Sequence, residues 1–335
     1  MIASRGLLNP GYRRILEIPF VRALFSLAFI FGLGLVFNAD GTFFRWDTHR
    51  DMLRQISTYG ILASGLTVVI VAGGIDLSVG SVLGLSAVVF SFLTIQLGWA
   101  AGVAILACLG LGLSCGGLVG GVIGRFGVQP FITTLAGMAF VRGAAKWVSG
   151  GQKISTTVLQ PNGNFVQVPL PPVFEFLGSR FLHQNVAAVT LVFLFCILVC
   201  WVLLAKTQWG RWLYALGGNE LCAYLSGVPI IRVKLLAYSL CGMLAAVAGI
   251  CQAAQELQGD PEAGMGYELT AIAIVVMGGT GLSGGYGGIG LTLLGTITIG
   301  YLEKILSINA VSEASRLMMT GLIVLAAVLL QKRQS

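Results

Sequence analysis

Apolar runs of about twenty residues alternate along this chain with short polar segments. Ten of them fit membrane spans, at roughly 20–38, 57–73, 78–97, 99–124, 129–148, 184–205, 234–256, 267–279, 286–305 and 315–331. A helical crossing takes about 20 mostly apolar residues. Several of these runs are shorter, as broken, tilted or re-entrant helices would be. The pattern predicts an all-α polytopic membrane protein with about ten transmembrane helices, some of them broken or re-entrant.

Two of the apolar runs are interrupted in related ways. Val69–Ile70–Val71–Ala72 stops at Gly73–Gly74, turns through Leu77–Ser78 and becomes apolar again. Ile274–Val275–Val276–Met277 stops at Gly278–Gly279, turns through Leu282–Ser283 and resumes after Gly285, a shift of 205 residues. At membrane depth, backbone outside a helix survives only where protein or a water-filled cavity surrounds it. Glycine-interrupted spans in related positions point to a substrate pathway. With 47 glycines in the chain, chance matching is the competing explanation.

Composition narrows the class. The chain has 335 residues, 56% of them hydrophobic and 10% charged, with a mean hydropathy of +0.89. Soluble domains carry about 25% charged residues. The net charge of +7 does not indicate nucleic acid, because the basic residues sit in short loops between apolar spans and no aromatic-interleaved basic patch occurs. An even span count puts both termini on one side. With that side cytoplasmic, the inner set holds Arg5, Arg13, Arg14, Arg125, Lys206, Arg211, Arg232, Lys234, Lys332 and Arg333. The positive-inside bias is modest and favours this orientation. The basic N-terminus followed by an apolar stretch resembles a signal sequence, but no small-x-small cleavage pattern follows, so it reads as an uncleaved first span.

No composition shift marks a soluble domain, so residues 1–335 form one membrane domain. Residues 149–183, with Pro161, Pro169, Pro171 and Pro172, are expected as an ordered external loop. Residues 206–233 are expected as a cytoplasmic loop. Within it, Asn219 can cap a short helix from Glu220 to Ser226, and Gly227 can end it. Leu221, Tyr224 and Leu225 then line one face. Such a helix either docks a soluble partner or rests on lipid.

Catalytic chemistry is missing. Gly281–Leu282–Ser283–Gly284 is a literal G-x-S-G, but a serine nucleophile needs a base. The two histidines, His49 and His183, lie earlier, in predicted external loops. Gly150–Gly151–Gln152–Lys153 has the wrong order for a phosphate loop. Any ATP-driven step therefore belongs to another chain. The cysteines offer no disulfide framework or metal site, and no cofactor is expected. Asp76 is the most telling charge, since an intramembrane carboxylate is by default a functional candidate. A cap for the helix that begins at Leu77 or Ser78 is the favoured reading, with a proton or ion site as the alternative. Glu256 and Glu268 flank the segment around residue 260 and are expected to shape an external mouth.

Gly73–Gly74–Ile75–Asp76–Leu77–Ser78–Val79–Gly80–Ser81 closely resembles the signature of permease subunits in bacterial ribose-type sugar ABC importers. Pro130–Phe131–Ile132–Thr133–Thr134–Leu135–Ala136–Gly137–Met138, Ala215–Leu216–Gly217–Gly218–Asn219–Glu220 and Gly264–Met265–Gly266–Tyr267–Glu268–Leu269 resemble it too, with Gly278–Gly279 following the last. The resemblance runs in order from about residue 50 to the C-terminus. It implies a transport subunit in the bacterial cytoplasmic (inner) membrane. It also implies a cytoplasmic ATP-binding subunit, a second permease subunit as homo- or heterodimer, and an extracytoplasmic solute-binding protein as partners. The inner loop would carry the ATPase-coupling helix, with Gly218, Asn219, Glu220, Tyr224 and Gly227 as its residues. Two positions depart from the family pattern: Tyr224 stands where arginine is common, and Thr270 where aspartate is common. The second departure is what pairing with a non-identical second permease would produce.

The resulting expectation is a permease for a monosaccharide or related polyol, working by alternating access. The expected path residues are Asp76, Gln129, Thr133, Gln252 and Glu268. The rival expectation is a self-sufficient secondary transporter or channel for a small polar solute. Such a carrier needs no docking helix and would be expected to hold buried charge pairs or ion-coordinating carboxylates, of which this chain has few.

Overall fold

A computed structural model describes residues 19–159, 165–312, 314–319 and 321–322. Its helices are α1 Pro19–Val36, α2 Trp46–Val71, α3 Val79–Ser91, α4 Ala101–Phe126, α5 Pro130–Ser149, α6 Pro172–Gly178, α7 Ala188–Lys206, α8 Gln208–Gly218, α9 Glu220–Leu225, α10 Ile230–Glu256, α11 Tyr267–Gly278 and α12 Ile289–Ile308. Two small antiparallel hairpins, β1 Thr157–Leu159 with β2 Phe165–Gln167 and β3 Arg180–Phe181 with β4 Val186–Ala187, lie between α5 and α7.

Among the described residues, seven helices are long and apolar enough to cross a bilayer: α1, α2, α3 with its π-helical continuation through Gln96, α4, α7, α10 and α12. This is the all-α, multi-pass membrane architecture. The other three predicted spans have different fates. Helix α5 is long enough but less apolar, because it carries Arg142 and Lys146. Helix α11, with 12 residues, is a half-span. The span expected at 315–331 falls largely outside the described residues.

Helix α2 begins at Trp46, well before the predicted residue 57. The added turns are charged, and their charges are met outside the apolar zone. Arg50 pairs with Asp47 and donates to the Gln184 carbonyl at 3.0 Å, while Arg180 pairs with Asp51 at 2.6 Å. Hydropathy patterning sees only the apolar part of such a helix.

Helices α2 and α10 form the centre. Helix α10 packs against α2, α3 and α4, and α2 also meets α7, α11 and α12. The α4–α10 contact is close because Gly112, Gly116 and Gly120 stand four apart on one face of α4. A Cβ at Gly116 would overlap the Tyr238 carbonyl, and one at Gly112 the Gly242 carbonyl. Small residues at such spacing let membrane helices approach backbone to backbone. Several buried hydroxyls are satisfied within the apolar interior: Ser64 donates to Gly60 O and Thr67 to Ala63 O, each at 2.7 Å, and Thr67 meets Thr292 of α12 at 2.6 Å. Helices α1, α4, α5 and α7 turn large apolar side chains outward, Phe25, Leu118, Phe140 and Phe195 among them, which is the surface lipid requires.

Candidate functional site

The chain stops being helical at both glycine breaks in the same way. At the end of α2, Gly74 N–H donates to Val69 O and Gly73 N–H to Ile70 O, with Gly73 at φ +81°. At the end of α11, Thr280 N–H donates to Val275 O and Gly279 N–H to Val276 O, with Gly279 at φ +101°. Both are Schellman caps, whose left-handed residue favours glycine. The caps align Gly73 with Gly279, one residue off the register suggested by the Leu-Ser matches.

The two breaks meet each other, and they meet a third glycine pair. Gly285 N–H donates to Val71 O at 2.9 Å. A Cβ on Gly217 would strike Val71 O and come within 2.5 Å of Gly285 N, and one on Gly284 would come within 2.7 Å of Gly73 Cα. The end of α2, the loop before α12 and the end of α8 therefore touch backbone to backbone. Tyr214 of α8 adds a hydroxyl bond to Gly287 O at 2.9 Å.

Helix α9 leaves directly from this junction. Asn219 Oδ1 accepts Cys222 N–H at 2.9 Å as the N-cap. At the other end Gly227, at φ +81°, closes a third Schellman cap: Val228 N–H donates to Ala223 O and Gly227 N–H to Tyr224 O. Glu220, in the first turn where an anion is favoured, accepts from Lys234 Nζ of α10 at 2.7 Å. Ala223 is buried against the bundle, while Leu221, Tyr224 and Leu225 are 66%, 67% and 75% exposed. The apolar stripe thus points away from the rest of the chain.

The expected path residues do not form one cluster. The fully buried Asp76 takes Ser78 N–H at 2.9 Å and Ser78 Oγ at 2.6 Å on Oδ1. That is a turn ahead of α3, which starts at Val79 and not at Leu77 or Ser78. Gln129 is exposed at the start of α5, near the α9 end, and Thr133 bonds back to its carbonyl at 3.2 Å. Gln252, near the other end of α10, donates to Glu256 at 2.6 Å and to the Tyr267 hydroxyl at 3.4 Å. Half-buried Glu268 sits in the first turn of α11 beside Gly80.

The sequence profile described as "branched-chain amino acid transport system / permease component" matches residues 50–328. The chain belongs to this permease family. It is 36% identical over 311 residues to the ribose import permease protein RbsC of Escherichia coli K12, covering 92% of each chain. It is 41% identical over 285 residues to RbsC of Bacillus subtilis 168, covering 85% of this chain and 84% of the relative. It is 31% identical over 290 residues to the fructose import permease protein FrcC of Rhizobium meliloti, covering 86% and 78%. No solved structure matches.

Sequence reasoning missed three residues of this permease. Arg142, inside α5, donates to Pro261 O at 2.5 Å, Ala263 O at 2.8 Å and Gly80 O at 3.2 Å. It thereby ties the segment before α11 to the start of α3. Its signal was a lone arginine within a span, which is costly unless paired. Lys234 was counted as a loop charge, yet it anchors α9. Tyr238, which packs against Gly74 at the first break, carried no signal beyond a polar tip in an apolar run. Among the described residues no cluster could hold a metal ion, and all seven cysteines are free.

Proposed function

We propose that this chain is the membrane-spanning subunit of an ATP-driven importer for a monosaccharide or related polyol, residing in a bacterial cytoplasmic membrane. It would pair with a second permease subunit, like or unlike itself, and receive solute from an extracytoplasmic binding protein. A cytoplasmic ATP-binding chain would drive it. The observation that carries the reading is α9, a two-turn helix capped at both ends whose apolar residues Leu221, Tyr224 and Leu225 face outward. A two-turn helix has little stability of its own, so its caps, its ion pair and the glycine junction hold it for some purpose. Docking is the purpose that uses a projecting apolar stripe.

The coupling follows from the junction. A push on α9 passes through Gly217 to Val71 and Gly285, and so to the end of α2 and the loop between α11 and α12 together. Packed backbones with no side chains between them transmit displacement with little slack. The helices that flank the breaks would then reorient around the path, giving alternating access. Ribose, fructose and L-arabinose in the names of similar permeases support a monosaccharide as cargo.

The test uses the co-expressed complex. Gly227→Val removes the left-handed C-terminal turn. A triple change of Leu221, Tyr224 and Leu225 to serine removes the stripe and leaves both caps. Both variants are expected to insert at normal levels, lose most sugar uptake and recover little ATP-binding subunit in pull-downs. A self-sufficient carrier would keep uptake with no ATP-binding subunit recovered even by the unmodified protein, and a helix that only rests on lipid would keep both uptake and partner recovery; either result would end this reading.

A further inference from the structure

Basic side chains are treated differently at the two ends of the bundle. At the end away from α9 they are paired: Arg50 with Asp47, Lys146 with Glu262, Lys153 with Asp260 and Arg180 with Asp51. At the α9 end Lys234 has Glu220. Arg125, Lys206, Arg211 and Arg232 are exposed there, and none has an ion-pair partner among the described residues.

Two of these four cations stand at one corner, with tryptophans around it. Helix α7 presents Phe195, Leu198 and Val202 outward in a single stripe, and Lys206, its last residue, continues that stripe. The ammonium of Lys206 therefore leaves the lipid-facing surface at the depth of the headgroups. Its Nζ lies 5.4 Å from the centre of the exposed Trp201 ring, a contact that steadies a cation without neutralising it. The chain then turns sharply. Thr207 Oγ1 accepts Gly210 N–H, and a Cβ on Gly210 would overlap the Leu204 carbonyl, so the start of α8 sits against the last turn of α7. Helix α8 is amphipathic: Gly210, Leu213 and Leu216 are buried, and Gln208, Arg211 and Ala215 are exposed. Trp209 and Trp212, edge to face at 5.1 Å, are half-buried against the core on either side of Arg211.

Tryptophans mark the depth of a membrane's polar surface, and unpaired cations beside them attract anionic headgroups. We propose that the α7–α8 corner binds an anionic phospholipid, with Lys206 and Arg211 on its phosphate and Trp201, Trp209 and Trp212 along its glycerol region. Lipid is the occupant that matches the outward apolar stripe leading to Lys206. Charge-assisted bonds to phosphate suit two converging cations with no carboxylate between them. The consequence, which rests on the transport reading above, is mechanical. Helix α8 ends at Gly217–Gly218, the root of α9, so a lipid that pins its start gives α9 a fixed end to move against.

Tryptophan quenching reads the lipid directly. Of the six tryptophans, Trp46, Trp99 and Trp147 are changed to phenylalanine, which leaves the three at the corner. The full chain is reconstituted in phosphatidylcholine with an equal mole fraction of either phosphatidylglycerol or phosphatidylcholine brominated high on its acyl chains. Brominated phosphatidylglycerol should quench at least twofold more. Lys206→Gln with Arg211→Gln should bring the two lipids to parity, whereas Arg125→Gln with Arg232→Gln, which removes the same charge elsewhere at this end, should keep the preference. Equal quenching in the unmodified corner, or parity in both double variants, would overturn the site. Loss of the preference on adding millimolar glycerol phosphate would assign the corner to a free phosphate and overturn the lipid. In proteoliposomes of the complete importer, phosphatidylglycerol should raise sugar uptake at least threefold. The Lys206–Arg211 double variant should lose that rise while recovering the ATP-binding subunit in full. Reduced recovery would set the two cations against the partner chain and overturn the proposal. Uptake indifferent to phosphatidylglycerol would overturn the consequence for α8. An unmodified importer that moves no sugar would end the transport reading and leave the lipid site, read by quenching, standing.

Discussion

The Gly285 amide donates to the Val71 carbonyl at 2.9 Å, joining the loop before α12 to the foot of α2. Val71 is the last residue of α2, and its carbonyl is one that the helix itself cannot satisfy. Gly217 fits into the same place so closely that a Cβ there would overlap that oxygen. Two glycine breaks and the root of α9 thus share one helix end, and motion of one is felt by the others.

The first prediction tests that packing. Gly217 and Gly218 are neighbours with opposite surroundings: a Cβ on Gly217 meets backbone, whereas one on Gly218 meets nothing within 4 Å. Gly217→Ala should destabilise by about 1–3 kcal/mol, as overpacking does, and should sharply reduce uptake. Gly218→Ala should melt as the unmodified protein does. Thermal unfolding of both in detergent checks this, and equal melting temperatures would show that the junction is slack.

How much of this was legible beforehand follows from how local each signal is. Helix α9 was readable because Asn219 and Gly227 act on backbone groups within a few residues of themselves. The all-α membrane architecture was readable because bilayer thickness dictates run length. The start of α2 was not, since Arg50 and Asp51 are satisfied by Gln184 and Arg180, far away in the sequence. The junction was half legible. Each glycine break showed in the sequence, but their meeting with Gly217 depends on how three distant segments pack. Gln129 and Gln252 were both read as path residues, yet they lie near opposite ends of the bundle, because a polar residue in an apolar run reports burial and not position.

Arg142 supplies the second prediction. It fastens Pro261, Ala263 and Gly80 by three carbonyl bonds, so it sets the distance between the half-span α11 and α3. Bonds to a charged donor contribute about 1.5–3 kcal/mol each at most, and the losses overlap. Arg142→Met keeps the apolar stem and removes the donors. It should cost about 2–4 kcal/mol in all, seen as a lower melting temperature. Increased hydrogen exchange should be confined to residues 260–266. A global loss of protection would instead assign Arg142 to insertion of α5.

The third prediction concerns pH. Lys153 pairs with Asp260 at 2.8 Å, next to the Ile154–Gly259 bridge whose two amide bonds are each 2.8 Å. Partial burial opposes ionisation of Asp260, but the hydrogen bond from Lys153, the Glu262 amide and the nearby charges outweigh it and hold its carboxyl below the ordinary 3.8. The hydrogen bond to Asp260 and its charge raise Lys153 above 10.5. A depressed acid stabilises above its unfolded value and loses that stabilisation as the pH falls through the folded one. A raised base loses its contribution as the pH climbs through its folded value. Amide protection at Ile154 and Gly259 should therefore be flat from about pH 5 to pH 9 and fall at both extremes. Asp260→Asn should flatten the profile at a lower level. A midpoint near neutrality would mean that another group controls this bridge.

The last prediction isolates the clamp between α9 and α10. Lys234→Glu places two carboxylates together at the start of α9, where Lys234 Nζ now sits 2.7 Å from Glu220. The pair is part-exposed, so its direct contribution to stability is at most about 1 kcal/mol. Global unfolding should scarcely change. Coupling should change, because repulsion levers α9 off the bundle while its caps at Asn219 and Gly227 stay intact. The expected result is ATP hydrolysis that continues in the assembled complex while sugar uptake falls severalfold. Exchanging the charges, Glu220→Lys with Lys234→Glu, restores attraction but sets a cation at a helix N-terminus, disfavoured by about 0.3–1 kcal/mol. The exchanged protein should therefore recover uptake in part and not in full. Full uptake in Lys234→Glu would show that α9 is held by the glycine junction alone. No recovery in the exchange would show that Glu220 acts through its own contacts and not through the pair.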